Sequence, residues 1–334
     1  MGEYRELGSS GIKVSAVGIG TWQWGSKIWG YSKTYSDQDL LEAFNKALEL
    51  GINFFDTAEI YGNGRSEEIL GRCLKSIKRD EVVIATKFSP TRMTERGIRS
   101  ALEGSLKRLG TSYVDLYQVH WPTSSTFIPM TMKILEKLWS EGKVLTIGVS
   151  NFNLKQLEKA RESLSRIDIV SNQVEYNMLK RDVEKDMLEY CLREKITLIA
   201  YSPLAQGALT GKYSQLNKPR DLVRKVNPYF TSWKLKNIQP LIEVLREIAS
   251  RRGKTITQIV LNWIIRWPNA IPIPGVKKIE HVLDIAGSLD FRLDKEELKI
   301  IEEKLREIQM KSSSRIIHGV RLLKNFLSMK IYEG

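Results

Sequence analysis

The chain has 334 residues, of which 42% are hydrophobic and 27% are charged, a balance typical of a globular protein and unlike that of an intrinsically disordered chain. Its formal net charge of +13 could attract a polyanion, but no nucleic-acid-binding motif accompanies the charge, so we favour a basic solvated surface and expect no nucleic-acid partner. No apolar run approaches the roughly 18 residues that span a bilayer, so we predict that the chain does not cross a membrane. The N-terminus does not resemble a signal peptide. The two cysteines, Cys73 and Cys191, lie in separate predicted helices, so we expect no disulfide and place the protein in the reducing cytoplasm.

Short strands recur along the whole chain. Residues 4–14 have a Gly-Ser-Ser-Gly core between two extended segments, which predicts a β-hairpin at the start. Eight apolar runs rich in β-branched residues follow, and amphipathic stretches separate them, as in consecutive βα units. The runs are Ala16–Ile19, Ile52–Phe55, Val82–Ala85, Val114–Val119, Leu145–Val149, Ile169–Ser171, Thr197–Ala200 and Ala270–Ile273.

Helical patterns fill the gaps between these runs. Ser36 is a candidate N-cap for the helix Asp37–Leu50, and Gly51 is its stop signal. A longer segment, 202–269, precedes the eighth run and contains a polar, Pro-containing stretch at 213–228, and long loops of this kind usually act as lids or specificity loops. The other predicted helices are 66–74, 94–109, 131–141, 154–164, 183–194, 238–250, 257–267, 278–286 and 295–309.

Eight βα units predict an α/β fold, namely a (β/α)8 TIM barrel with an N-terminal hairpin and extra helices. We expect one domain over 1–334, whose basic C-terminal tail, 310–334, could fold over the barrel. Barrels of this type place their active sites at the C-terminal ends of the strands. The residues that follow the strands are therefore the candidates for chemistry.

Three strand ends and one loop carry a set of reactive side chains. Asp56, Lys87 and His120 end or follow successive runs, and Tyr61 lies five residues after Asp56 in a Gly-bounded loop. A tyrosine with its usual pKa of about 10 is a poor proton donor at neutral pH, but a nearby ammonium lowers that pKa. A histidine could hydrogen-bond a substrate carbonyl. Each residue alone could be a turn, surface or core residue, but together they favour general acid catalysis at a carbonyl oxygen.

Four segments resemble the aldo-keto reductase superfamily: FDTAEIYGNGRSEEILG, the Thr86-Lys87 strand end, LYQVHWP and IGVSNF. The resemblance covers about residues 4–290 and implies a (β/α)8 barrel that reduces aldehydes and ketones with NADPH and has no Rossmann domain. Consistent with this, Gly18-Ile19-Gly20 is followed by Thr21-Trp22-Gln23, so the dinucleotide-binding pattern G-x-G-x-x-G is not completed.

The resemblance also assigns roles in catalysis. It implies that Tyr61 is the general acid, that Lys87 and Asp56 tune it, and that His120 orients the carbonyl. We expect Trp22, Tyr61, His120 and Trp121 to contact the substrate, because aromatic walls suit an apolar or aromatic carbonyl compound. We predict no metal site.

The cofactor-binding residues follow from the same resemblance. Ser150, Asn151 and Gln173 match the positions that hold the nicotinamide carboxamide, and Tyr201 matches the aromatic residue that stacks on its ring. The segment 201–213 matches the pyrophosphate loop, with Lys212 supplying charge. The expected cofactor contacts are Gly20, Thr21, Trp22, Asp56, Ser150, Asn151, Gln173, Tyr201, Ser202, Pro203, Leu204, Gln206, Gly207, Leu209, Gly211, Lys212, Gly275, Val276, Lys277, Lys278 and His281.

The eighth βα turn bears on the choice between NADPH and NADH. It resembles the site of the adenosine 2′-phosphate, where Lys277 or Lys278 could pair with the dianion. His281 stands where an arginine is frequent in the family, and Asp284-Ile285 stands where Glu-Asn usually contacts adenine. The lysines favour NADP(H) as the cofactor, whereas these two departures from the family pattern weaken that preference and keep NAD(H) as the alternative.

Two other functions stay open at this stage. Voltage-gated potassium-channel β-subunits share this fold and similar motifs, so the chain could be a cofactor-binding regulatory subunit. It could also be a barrel isomerase or aldolase that uses Lys87 as a Schiff base. The sequence leaves open the physiological substrate, the direction of reaction and the oligomeric state.

Overall fold

The computed structural model describes residues 3–310, so most of the predicted basic tail 310–334 lies outside the described residues. Ten strands form a two-stranded antiparallel sheet and an eight-stranded parallel sheet in this part of the chain. The strands are β1 (Tyr4–Glu6), β2 (Lys13–Ser15), β3 (Ile19–Gly20), β4 (Phe54–Asp56), β5 (Val83–Phe88), β6 (Val114–Val119), β7 (Val144–Ser150), β8 (Ile169–Glu175), β9 (Thr197–Tyr201) and β10 (Ala270–Ile273).

The parallel sheet closes into a barrel. Its strands follow one another in chain order from β3 to β10. The first and last strands are then joined, because Gly18 N–H donates to the Pro272 carbonyl at 2.9 Å and Gly20 N–H donates to the Pro274 carbonyl at 3.0 Å. The predicted (β/α)8 barrel is confirmed.

Helices surround the barrel between the strands. They are α1 (Asp37–Glu49), α2 (Arg65–Cys73), α3 (Glu95–Leu109), α4 (Ile128–Ser140), α5 (Leu154–Glu162), α6 (Met187–Arg193), α7 (Leu222–Lys225), α8 (Ser232–Arg252), α9 (Ile256–Ile265), α10 (Ile279–Ala286) and α11 (295–310). Ser36 caps α1 as predicted, since its side chain accepts from Asp39 N–H, and Gly51 follows with a left-handed φ of 77°. Within residues 3–310, no helix is long and apolar enough to cross a membrane.

The segment between β9 and β10 differs from the prediction. Helix α8 begins at Ser232 rather than at 238, because Thr231 caps it by accepting from Lys234 N–H, and Pro240 lies inside the helix. The polar, Pro-containing stretch 213–228 contains a short helix, α7, which Asp221 caps. Proline usually marks a helix boundary, so sequence reasoning placed the start of α8 too late.

The predicted N-terminal hairpin is present and covers the bottom of the barrel. Strands β1 and β2 pair in antiparallel register. The Arg5 guanidinium donates to the carbonyls of Ile265, Trp267 and Ala270, just before or at the start of β10. The hairpin thus closes the end opposite to the C-terminal ends of the strands, which leaves those ends available for a site.

Strand alternation places polar side chains above an apolar barrel interior. Residues two apart on a strand point to the same face. Apolar side chains form a cluster inside the barrel. On four strands, the residue two positions closer to the C-terminal end is polar and lies on the same face. Such pairs are Phe54 and Asp56 on β4, Ala85 and Lys87 on β5, Leu116 and Gln118 on β6, and Ile199 and Tyr201 on β9.

Candidate active site

Lys87 is the centre of a buried cluster at the C-terminal end of the barrel. Its Nζ donates to Asp56 Oδ1 at 2.5 Å, to the Thr57 carbonyl at 2.8 Å and to Tyr61 Oη at 3.3 Å. Lys87 is fully buried, and Asp56 is 1% exposed. An ammonium removed from water in this way needs a charged partner and further acceptors, and the cluster supplies both.

Burial and charge act against each other on the two proton-carrying groups. Burial raises the pKa of the Tyr61 phenol, and the Lys87 ammonium pulls it part of the way back down, so the net shift is upward. Burial opposes the charge of Lys87, but Asp56 and Tyr61 outweigh it and raise the pKa of Lys87 above its usual value. Lys87 therefore stays an ammonium, and Tyr61 stays protonated at neutral pH.

His120 is a neutral imidazole beside Tyr61. The two ring centroids are 5.6 Å apart at an interplanar angle of 78°. Burial, helped by the Lys87 charge, lowers the pKa of His120 to about 3. Its Nδ1 atom is buried and has no hydrogen-bond partner among the described residues. A proton on Nδ1 would be an unpaired buried donor, so the single proton of the neutral ring belongs on Nε2.

A set of hydroxyl and amide groups from β7, β8 and β9 borders this cluster. Ser150 Oγ donates to the Gln173 carbonyl at 2.9 Å, and the Tyr201 hydroxyl donates to Asn151 Oδ1 at 3.0 Å. Gln173 Nε2 donates to Asp56 Oδ2 at 2.7 Å, so this amide also contacts the reactive cluster. Asn151, directly after β7, has a left-handed φ of 62°.

These groups line a cavity of about 650 Å³. Aromatic side chains form one wall, with the rings of Trp22 and Trp29 5.1 Å apart and those of Trp22 and Tyr61 6.5 Å apart. Trp121 is 50% exposed at the rim. Trp24 lies in the core instead, where its Nε1 donates to the Val276 carbonyl at 3.0 Å. The expected site residues that line the cavity are Gly20, Trp22, Asp56, Tyr61, His120, Trp121, Ser150, Asn151, Gln173, Tyr201, Ser202, Pro203, Leu204, Gln206, Gly207, Lys212, Gly275 and His281.

The loop after β9 has an unusual backbone. Ser202, Ala205 and Gln206 have left-handed φ values of 49°, 48° and 55°, and Gly207 has a φ of 101°. Non-glycine residues with positive φ are uncommon, and they often mark functional sites. Arg224 fixes this loop by donating from Nε to the Gln206 carbonyl at 2.7 Å.

Some expected cofactor residues lie just outside the cavity lining. Thr21 supports the strand end, since its hydroxyl donates to the Asp56 carbonyl at 2.9 Å. The Nζ of Lys277 donates to the carbonyl of Trp29, a residue of the lining, at 2.7 Å. Lys278 is the N-cap residue of α10. The other three lie behind or beside the lining: Leu209 and Val276 are fully buried, and Gly211 directly precedes Lys212, which lines the cavity.

The structure adds residues that sequence reasoning did not select. Gln23 and Trp29 line the cavity. Gln118 is fully buried and donates from Nε2 to Asp56 Oδ2 at 3.2 Å. Strand parity could have found Gln118, because it lies two residues before His120 and hence on the same face of β6. Within residues 3–310, no group of three or more His, Cys, Asp or Glu side chains could hold a metal ion.

Comparisons with known proteins agree on one family. The model of the aldo/keto reductase family matches residues 16–306. The chloroplastic pyridoxal reductase of Arabidopsis thaliana is 38% identical over 319 residues, covering 89% of this chain and 84% of that protein. The glycerol dehydrogenase of Gluconobacter oxydans superposes with a TM-score of 0.81 at 30% identity, over 91% of this chain and 95% of that one.

A third similar protein was solved with a cofactor. It is an aldo-keto reductase from Klebsiella pneumoniae in complex with NADPH, with a TM-score of 0.72 and 28% identity over 91% of this chain and 95% of that chain. The family match spans nearly all of the barrel, including the strand ends that carry Asp56, Lys87 and His120. This chain belongs to the aldo/keto reductase family of NAD(P)H-dependent oxidoreductases.

Proposed function

We propose that this protein reduces aldehydes or ketones to alcohols, with NADPH as the hydride source and Tyr61 as the proton donor. The observation that carries the proposal is the position of the Lys87 ammonium, which is 2.5 Å from a carboxylate oxygen of Asp56 and 3.3 Å from the Tyr61 hydroxyl. A charged lysine held against a phenol stabilises the phenolate that remains after proton transfer.

The cavity suits a nicotinamide dinucleotide. Its volume of about 650 Å³ lies within the range of cofactor sites. The buried Oε1 atoms of Gln23 and Gln206 have no hydrogen-bond partner among the described residues, although both side chains line the cavity. Lys212 and Arg224 add positive charge to the lining. Unpaired buried acceptors and nearby cations support a ligand that carries both N–H donors and phosphates.

We assign the parts of the cofactor to parts of the site. Ser150, Asn151 and Gln173 would hold the carboxamide, because an amide needs both donors and acceptors, and Tyr201 would stack on the ring. The left-handed loop at 202–207, with Lys212, would hold the phosphates. The remaining contacts proposed are Gly20, Thr21, Trp22, Asp56, Leu209, Gly211, Gly275, Val276, Lys277, Lys278 and His281.

A bound NADPH would supply the hydride for the carbonyl carbon. Tyr61 gives its phenolic proton to the carbonyl oxygen, so one hydride and one proton complete the alcohol. The Lys87 ammonium stabilises the phenolate, which then regains a proton from solvent. His120 donates from Nε2 to the same oxygen and orients the substrate, while Trp22 and Trp121 contact its apolar part.

The two alternative functions receive less support. A Schiff-base mechanism needs a neutral lysine amine, but Asp56 and Tyr61 raise the pKa of Lys87 and keep its ammonium hydrogen-bonded to three oxygens. A regulatory subunit could keep the cofactor site, but it would not need a poised proton donor. Borohydride trapping of Lys87 in the presence of a carbonyl compound tests the first alternative, and a lack of turnover would support the second.

A substrate panel tests the proposal. The panel contains aromatic and aliphatic aldehydes and ketones, each assayed with NADPH and with NADH. It includes pyridoxal, because one similar protein is a pyridoxal reductase, and glycerol with NADP⁺, because another is a glycerol dehydrogenase. We expect turnover that is faster with NADPH and favours aromatic aldehydes. Tight NADPH binding without turnover of any compound would contradict the proposal. The cytoplasm is the proposed location, supported by the two buried free cysteines.

A further inference from the structure

Gln118 reaches the reactive carboxylate from the middle of the barrel. It lies on β6, directly beside Lys87 of β5 in the strand register. Its side chain is fully buried, and its Nε2 donates to Asp56 Oδ2 at 3.2 Å. None of the roles assigned above includes this amide.

The hydrogen bonds of Asp56 divide between its two oxygens. Oδ1 accepts from Lys87, whereas Oδ2 accepts from Gln173 at 2.7 Å and from Gln118 at 3.2 Å. Three strands, β5, β6 and β8, therefore fix the plane of one carboxylate. If Gln118 released Oδ2, Gln173 would be its one remaining donor among residues 3–310, and Gln173 is itself proposed to bind the cofactor.

The other end of the Gln118 amide is unsatisfied. Its Oε1 is buried and has no hydrogen-bond partner within residues 3–310. Leaving an acceptor unpaired in the interior is unfavourable, and an apolar side chain would avoid it. The amide cannot reverse, because Oε1 would then face the negative charge of Asp56. Packing alone does not explain a polar residue here, whereas a hydrogen bond to Asp56 does.

We propose that Gln118 is a positioning residue, which holds Asp56 so that the Lys87 ammonium stays directed at the Tyr61 hydroxyl. The inference rests on the proposed function, since it concerns the same proton donor. With the Gln118 donor removed, the less stabilised Asp56 charge draws the ammonium toward itself, and Tyr61 feels less positive charge. The phenol then becomes a weaker acid.

The titratable groups that face this carboxylate define what a pH profile would report. Lys87 from β5 and Tyr61 from the loop after β4 interact with Asp56 directly. Around Tyr61 itself lie His120 from the end of β6 and Tyr201 from β9, and Glu175 of β8 acts on Tyr201. His120 is neutral above pH 5 because its pKa is lowered to about 3. Between neutral and alkaline pH, the loss of activity therefore reports mainly on Tyr61, whose proton the reduction consumes.

Two substitutions at 118 and one control test the inference. Gln118→Met keeps the length and removes the donor. Gln118→Glu restores a donor only while the new carboxyl is protonated, because two facing carboxylates raise one pKa. Tyr117→Phe is the matched control. It removes a buried hydroxyl from the preceding position of β6, and this hydroxyl has no hydrogen-bond partner among the described residues. The measurements are kcat against pH, with an aromatic aldehyde, and NADPH affinity by fluorescence.

For Gln118→Met we expect kcat to fall at least about threefold, as for a weakened hydrogen bond to a charged group, and the alkaline limb to move to higher pH. NADPH affinity should stay within twofold. Gln118→Glu should lose activity as the pH rises through a new, more acidic limb, and Tyr117→Phe should match the wild-type profile. If both variants at 118 keep the wild-type profile and differ only in melting temperature, Gln118 is structural and the inference is wrong.

A second readout separates this inference from the proposed function. In protein labelled with ¹³C at tyrosine Cζ, the signal missing from Tyr61→Phe reports the ionisation of Tyr61 without any turnover. We expect this ionisation to move to higher pH in Gln118→Met. Absence of turnover in the wild type would reject the proposed function alone, whereas an unmoved Tyr61 ionisation would reject the positioning role.

Discussion

The Nζ atom of Lys87 lies 3.3 Å from the Tyr61 hydroxyl oxygen and 2.5 Å from Asp56 Oδ1. The ammonium is anchored by the carboxylate and directed at the phenol. Because Lys87 and Asp56 are buried and Tyr61 is half-buried, water screens their interactions weakly. A change in any one of them should therefore alter the other two.

Lys87→Met should abolish most turnover, because Tyr61 loses the positive charge that offsets its burial. It should also destabilise the fold by roughly 3–5 kcal/mol, since Asp56 is left as an uncompensated buried charge. Urea unfolding and steady-state kinetics measure the two effects. Unchanged rate and stability would mean that Lys87 is not part of the machinery.

A double variant separates stability from chemistry. Adding Asp56→Asn to Lys87→Met removes the uncompensated charge, so much of the lost stability should return while turnover stays low. Recovery of both properties together would show that Lys87→Met acted only by unfolding the site. The comparison needs the single variant Asp56→Asn as its third arm.

Acid should destabilise the protein through His120. Its pKa in the folded state is lowered to about 3, while the unfolded chain binds the proton at about pH 6.5. Between these values the unfolded state holds more protons, so the free energy of unfolding falls as the pH drops from about 6.5 to about 3. His120→Gln should make this decline shallower in urea titrations at pH 7, 5 and 4, and an unchanged slope would contradict the burial of a neutral imidazole.

Lys277 and Lys278 test the choice of cofactor. Burial, with the nearby charges of Arg224 and Lys212, lowers the pKa of Lys277 to about 8, so a phosphate dianion at this position would relieve the local excess of positive charge. Replacing both lysines by Ala should weaken NADPH binding at least about tenfold and NADH binding much less, because each charge-assisted contact contributes roughly 1.5–3 kcal/mol.

Fluorescence titration with both cofactors measures this difference. Arg224→Ala is the informative partner variant, since Arg224 lines the cavity and lies 5.0 Å from the Trp29 ring centroid. If the lysine pair affects both cofactors equally and Arg224→Ala discriminates between them, the 2′-phosphate site lies at Arg224 instead.

Much of the barrel and of the reactive cluster could be predicted from sequence. The period of two along each strand and the change from apolar to polar at its end place Asp56 and Lys87 on the interior face. Ser36 and Gly51 mark helix ends through local hydrogen bonds and backbone conformation. Both kinds of signal depend on neighbours in sequence, which is why they could be identified without a structure.

Contacts between distant loops could not be predicted in this way. The Nζ of Lys277 bonds a carbonyl 248 positions away in sequence, at Trp29. Arg224 reaches Gln206 because α7 forms in a stretch with few helical signals. Such contacts depend on side-chain rotamers and on how separate loops pack against each other, and no local sequence pattern determines them.

The most direct test of the account compares wild-type protein with Tyr61→Phe in the reduction of an aromatic aldehyde. Alcohol formed and NADPH oxidised are measured together, and NADPH affinity is measured separately. We predict one alcohol per NADPH in the wild type, a rate at least roughly 10²-fold lower in Tyr61→Phe, as for a lost general acid, and nearly unchanged affinity. Turnover by Tyr61→Phe at the wild-type rate would contradict the assignment of Tyr61 as the proton donor.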